Sequence, residues 1–337
     1  MSASSAIIVS SPPTGRIRDF DLVVRDGRLL VVGTPDRSHL ACTWDPATDL
    51  WTEHRLGNPW LEETDGDYTE LYTLGAAVVD GRIVIGGGGD HQGFAMWDLE
   101  SGKVRLSAQD GGVGSVVRAD FGARSLLVVG FNGTWAFELW DPSAAERDDD
   151  DDSDRPSPYD LLVEVEELCS KSYASSAVAA GMLGERPVVV ADSWEGGVLV
   201  WDIDEQRSLA EFDELDEEPH DFAMAAVDGR THVVAAGRRY LVLGDPETGE
   251  WAEPLIVPGD EISCLDAGTV NGRAIAVTGA GDGAIHVWDL AGRQPLGEPF
   301  LGHGGEVYGV RMTELDDRPV VISAAHDGSV RVWELPS

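Results

Sequence analysis

The chain has 337 residues, 42% of them hydrophobic, with 40 glycines and 17 prolines. Acidic residues outnumber basic ones by 61 to 24, giving a net charge of −37. Such a surface repels a phosphate backbone or an anionic bilayer, so nucleic acid and membrane are poor partners and a basic protein or peptide is the easiest to accommodate. Cys42, Cys169 and Cys264 lie far apart with no CxxC pair, which reads as reduced, buried thiols in a cytoplasmic protein. Met1 to Ser10 has neither the basic segment nor the apolar run of a secretory leader, and no stretch approaches the roughly 18 apolar residues of a membrane helix.

In chain order, Ser5 to Ser10 is an apolar, β-type segment that precedes the first of seven repeated units. Each unit ends an apolar alternation in Trp-Asp or a variant: Trp44-Asp45, Trp97-Asp98, Trp140-Asp141, Trp201-Asp202, the degenerate Gly244-Asp245, Trp288-Asp289 and Trp333-Glu334. The spacings are 53, 43, 61, 43, 44 and 45 residues. A second marker keeps step, a turn ending in arginine at Arg28, Arg82, Arg124, Arg186, Arg230, Arg273 and Arg318, each 14 to 16 residues before the Trp position. Four of these turns are Asp-Gly-Arg or Asn-Gly-Arg, the strongest hairpin signal, because both turn positions adopt positive φ readily.

Each unit therefore predicts four strands, and a lone four-stranded sheet cannot bury both faces. In the sixth unit the strands are expected over 261–268, 274–279, 284–289 and near 297–301, with Ile285 and Val287 on one face and His286 and Trp288 on the other. The expected fold is all-β: one seven-bladed β-propeller of four-stranded antiparallel blades spanning 1–337. The seventh unit lacks an outer strand, which residues 5–10 are expected to supply, so that the N-terminal strand joins the last blade. An insertion over about 143–158 in the third blade, with Asp148 to Asp152, reads as a solvated loop.

These residues resemble the WD-repeat β-propeller family over nearly the whole chain. The last unit fits best, with Gly302-His303, Ser323, His326-Asp327-Gly328 and Trp333. The resemblance implies a buried hydrogen-bonded chain of His303, Ser323, Asp327 and Trp333, and so gives His303 and Asp327 a structural role although they look like a catalytic pair. The sixth unit keeps Thr278, Asp282 and Trp288 but has Pro258 where the histidine belongs. The family also implies protein–protein interaction as the default role, without naming the partner.

The glycines Gly86 to Gly89 lack the Lys and Ser or Thr of a phosphate loop and read as a wide hairpin loop. Asp65 to Glu70 lacks the ligand pattern of a calcium loop. The eight histidines show no metal-ligand spacing, and no serine or cysteine sits in a nucleophile motif, so no cofactor, metal or catalytic residue is expected. Large aromatic and basic residues on loops of a rigid scaffold are binding anchors. His91, Phe131, Trp194, Arg238, Arg239 and His326 fall in the loops between second and third strands, and Trp60 and Tyr68 in the first inter-blade connection. Trp194 is the strongest single anchor. The expected function is a non-catalytic cytoplasmic scaffold holding a protein or peptide on one propeller face. The alternative is a propeller enzyme, or a small-molecule or metal sensor, acting at the mouth of the central channel.

Overall fold

The computed structural model describes residues 6–36, 39–59, 71–89, 92–108, 112–122, 124–132, 137–143, 177–192 and 197–336. The strands are β1 (Ile8–Ser10), β2 (Ile17–Arg25), β3 (Arg28–Pro35), β4 (Leu40–Asp45), β5 (Leu50–Arg55), β6 (Thr73–Val79), β7 (Arg82–Gly89), β8 (Gln92–Asp98), β9 (Val104–Ala108), β10 (Gly112–Phe121), β11 (Arg124–Asn132) and β12 (Phe137–Trp140). They continue with β13 (Val178–Leu183), β14 (Arg186–Asp192), β15 (Val198–Asp202), β16 (Arg207–Phe212), β17 (Asp221–Val227), β18 (Arg230–Ala236), β19 (Tyr240–Asp245), β20 (Glu250–Trp251) and β21 (Leu255–Ile256). The last are β22 (Ile262–Val270), β23 (Arg273–Ala280), β24 (Ile285–Asp289), β25 (Gln294–Pro295), β26 (Val307–Leu315), β27 (Arg318–Ala325) and β28 (Val330–Glu334).

These strands form seven antiparallel sheets in the strand order of propeller blades: β2 to β5, β6 to β9, β10 to β12, β13 to β16, β17 to β21, β22 to β25, and β26 to β28 with β1. By contacts the chain divides into two compact units, one of Phe20–Val178 and one of Met1–Asp19 with Ala179–Ser337. The fold class is a seven-bladed, all-β propeller.

The four expected hairpins have both turn residues at positive φ, Asp26 and Gly27 at 52° and 73°, and Asn271 and Gly272 at 51° and 78°. Closure of the last blade follows the expected route: β1 pairs antiparallel with β28, with Ile8 opposite Val332 and Ser10 opposite Val330. Deleting residues 1–12 removes this short ladder, and we expect a loss of about 2 kcal/mol at roughly 1 kcal/mol per hydrogen bond. An unchanged melting temperature would show that β1 contributes nothing to closure.

Four of the tryptophans at the end of a third strand are packed against the preceding sheet. Trp97 joins Val32 and Ala41, Trp140 joins Val84 and Phe94, Trp288 joins Val234 and Leu241, and Trp333 joins Ile275 and Val287. Removing some 200 Å² per indole from water is worth ~5 kcal/mol at most, which is why this position punctuates the repeat.

The arginine marker has a physical partner that explains its step. Arg28 pairs with Asp45, Arg82 with Asp98 at 3.2 Å, Arg230 with Asp245 at 2.7 Å, Arg273 with Asp289 at 4.0 Å and Arg318 with Glu334 at 3.9 Å. Each pair ties the start of a second strand to the end of a third. The other oxygen of the aspartate accepts a main-chain N–H group of the turn that follows, as Asp45 does from Ala47 and Asp245 from Glu247. No such turn follows Glu334, because the fourth strand of its blade is β1, and there glutamate suffices.

Three expectations are corrected. Gly86 to Gly89 belong to strand β7 and not to a loop. They are glycines because a Cβ at Gly86 would fall 2.5 Å from Leu127 and 2.6 Å from Phe94, and one at Gly88 would fall 2.5 Å from Val113. In the sixth blade the fourth strand begins at Gln294 rather than near 297, because the Asp289 turn is tight, and Phe300 returns to it through a single bridge to Ile285.

The fifth blade, third, is not degenerate at Gly244. Trp251, directly across the ladder from Gly244, lays its ring against Phe212 with centroids 4.3 Å apart. A Cβ on Gly244 would meet these rings at 2.6 and 2.7 Å. The indole is thus supplied from the neighbouring strand. Gly244→Trp, which restores the repeat motif on paper, is expected to cost about 2 kcal/mol by overpacking. A urea midpoint equal to or above that of the parent would contradict this placement.

Candidate functional site

In each antiparallel sheet the loop between second and third strands opens at the end that also carries the connection from the previous blade. On the sheets of residues 177–336 these loops interlock. Ile262 N donates to Arg238 O at 2.7 Å, Gly281 N to Glu261 O at 2.9 Å, and His326 N to Glu306 O at 2.8 Å.

The fifth-blade loop, Gly237 to Arg239, is held from several sides. Val257 N donates to Arg239 O at 2.9 Å. A Cβ at Gly237 would lie 2.0 Å from the ring of Tyr240, which folds over the loop. The Tyr240 hydroxyl donates to Glu217 O. Burial, with Glu217 beside it, pushes that phenol up to about 12. The backbone is clamped while both arginine side chains stand exposed. Arg238 lies between Glu261 (3.1 Å) and Glu217 (3.6 Å), pairs too solvated to contribute much to stability.

The seventh-blade loop carries His326. Its Nδ1 lies 2.6 Å from the Tyr308 hydroxyl and 2.9 Å from a guanidinium nitrogen of Arg16. Arg16 also reaches the Tyr308 hydroxyl at 3.2 Å and lies over its ring, 5.7 Å from the centroid.

Beneath this loop runs the buried polar chain. Trp333 Nε1 donates to Ser323 Oγ at 2.9 Å, Ser323 Oγ lies 2.8 Å from His303 Nε2, and His303 Nδ1 faces Asp327 at 3.2 Å. Burial holds His303 below the ordinary histidine range, against the pull of Asp327, so its imidazole is neutral near pH 7. One proton arrangement satisfies every member: Trp333 to Ser323, Ser323 to His303, His303 to Asp327. Burial acts to raise Asp327, but hydrogen bonds from Ser329 N, Gly304 N and the Ser329 hydroxyl outweigh it and bring the carboxyl to about 2. In the sixth blade the chain shortens, Trp288 donating to Thr278 Oγ1 at 3.0 Å.

Of the expected anchors, Arg238, Arg239 and His326 are exposed on loops. Phe131 is corrected. Strand β11 runs through to Asn132, so Phe131 is a core side chain, 1% exposed, packed with Val113 and Trp140. Trp60, Tyr68, His91 and Trp194, the 65–70 carboxylates, Cys169 and the bulk of the acidic insertion lie outside the described residues. Among the described residues no three His, Cys, Asp or Glu side chains are grouped to hold a metal ion. Sequence reasoning missed Arg16 and Tyr308, which meet His326 from 310 and 18 residues away.

A family model described as WD domain, G-beta repeat matches residues 293–334, from the outer strand of the sixth blade through β28. Together with the repeated antiparallel blades, this match supports a WD-repeat β-propeller. Such propellers typically serve as protein-interaction scaffolds. Comparison with curated proteins finds no significant match.

Proposed function

We propose that this chain is a non-catalytic, cytoplasmic scaffold that binds a protein or peptide, a basic one by preference, on the face bearing the loops at Arg238, Arg239 and His326. The observation that carries the reading is the clamped loop of Gly237 to Arg239. Its backbone is fixed by Tyr240, Ile262 and Val257 while two guanidinium groups face solvent, so little ordering cost remains on binding. The surround is acidic: Glu214, Asp216, Glu218, Asp260 and Glu306 are partly or fully exposed. Buried free thiols at Cys42 and Cys264 suit a reducing compartment.

The test is affinity capture from the native cytoplasm with wild type, Arg238→Ala/Arg239→Ala and Trp194→Ala, quantified by mass spectrometry. A partner retained by wild type and lost at least tenfold with the arginine variant supports the face. Equal recovery by all three would place the binding surface elsewhere.

A further inference from the structure

At the end that carries the loops between second and third strands, two hydrogen bonds cross from the fifth blade to the sixth. Leu265 N donates to the Asp221 carboxyl at 2.7 Å, and Ile262 N donates to Arg238 O at 2.7 Å. The ladders couple these two bonds. Asp221, the first residue of β17, lies directly across from Ala236, the last residue before the Gly237–Arg239 loop, and His220 N donates to Ala236 O at 2.9 Å. On the other side Ile262 and Leu265 share strand β22, with a bulge between them. Parting the two blades at this end therefore breaks both bonds together, and the nearby Arg238–Glu261 pair is too solvated to hold them. The same opening brings the Asp221 carboxyl into water.

Closed, this carboxyl is a poor place for a charge. Burial disfavours the ionised form, and Asp266 of β22 repels it. The Cys264 thiol of the same strand is neutral, pushed up to about 12 by its own burial. Arg311 of β26 attracts the charge but is engaged with Asp19 at 3.7 Å. His220 is held below the ordinary histidine range by desolvation, against Glu217 and Glu261, and so is neutral from about pH 6.5 upwards. An opening that hydrates the Asp221 carboxyl becomes easier over every pH interval in which the carboxyl ionises only when open. We propose that Asp221 is a proton-controlled latch on this seam: protonated, it keeps the Gly237–Arg239 loop seated on β22, and ionised, it lets that end of the seam part and the loop leave its fixed geometry. The latch stands on the seam alone. Its consequence, weaker binding as pH rises, rests on the binding face proposed above.

Hydrogen exchange of the full-length protein at residue resolution, corrected for intrinsic rates, reads the latch without a partner. A carboxyl at about 7 when closed and near ~4 when open predicts that the opening constant at the Ile262 and Leu265 amides rises roughly thirtyfold from pH 5.5 to pH 8. Asp221→Asn has no proton to lose and is expected to stay within about twofold over the same range. A rise below about threefold in wild type overturns the latch, whether or not the variant folds. So does a rise in the variant equal to that in wild type, which would assign the titration to a neighbour such as His220. Exchange of both amides in step with those of β27 would report global unfolding and overturn the local seam. Partner capture by wild type at pH 6.5 and pH 8 separates the latch from the binding role. Recovery is expected to fall at the higher pH, and recovery unchanged while the amides respond would overturn the link to binding and leave the latch standing.

Discussion

Replacing His303 with alanine is expected to lower the unfolding free energy by about 3 kcal/mol. Its side chain is fully buried, and it is the middle member of a chain in which each donor has one acceptor. Removal leaves the Ser323 hydroxyl without its acceptor and withdraws a donor from Asp327. Ser323→Ala strands the indole N–H of Trp333 instead. Because both variants break one network, the double variant should cost at least ~1 kcal/mol less than the two single costs combined. Additive costs in urea denaturation would show that the four residues are merely neighbours.

The same network predicts an acid limb. Asp327 is held at about 2 when folded, below the ordinary carboxylate value near 4. Its contribution is therefore fully present above pH ~4 and is lost as pH falls from there towards ~2, with about 1 kcal/mol at stake once solvent screening of this exposed residue is allowed for. Asp327→Asn should flatten the curve within that window.

How much of this was readable beforehand depends on how far apart in sequence the interacting groups lie. The seven Trp-Asp positions and the Asp-Gly turns are local signals, and they led to the right number of sheets and to β1 as the closing strand. The arginine was legible as a marker but not as the partner of the carboxylate some 16 residues on, because sequence spacing does not show which strands are neighbours. Gly244 looked like a lost tryptophan because its replacement, Trp251, sits across a ladder, and only register reveals that. Phe131 was misplaced by the few residues by which β11 outruns the expected loop. His326 was found through its motif, whereas Arg16 and Tyr308 carry no motif and come to it through the fold. Among 61 acidic residues, no single carboxylate announces itself as special.

Three of those carboxylates nevertheless share a task. Asp21 accepts Ala76 N at 2.9 Å, Asp221 accepts Leu265 N at 2.7 Å and Asp266 accepts Met312 N at 2.6 Å, each from the first strand of the next blade. Asp221 also accepts its neighbour Phe222 N at 2.9 Å. As a residue it is only half-buried, but its carboxyl lies in the interior. That burial pushes it up to about 7, against the favourable field of Arg311 and the two amide donors.

The sign of the linkage is opposite to that of Asp327. Below pH ~4 the Asp221 carboxyl is protonated both folded and unfolded. From ~4 to ~7 the unfolded chain gives up the proton and the folded chain keeps it, so stability falls as pH rises, and above ~7 the loss is complete. The expected decline is on the order of 3–4 kcal/mol. Asp221→Asn keeps a neutral acceptor for Leu265 and has no proton to lose. It should be no more stable than wild type at pH 4.5 and should gain on it progressively, overtaking it by pH 8. Parallel stability curves for the two proteins between pH 4.5 and 8 would show that Asp221 is ionised throughout. The clamp to the next blade would then be held by a charge, with Arg311, 3.7 Å from Asp19, as its counter-ion shared among the carboxylates around it.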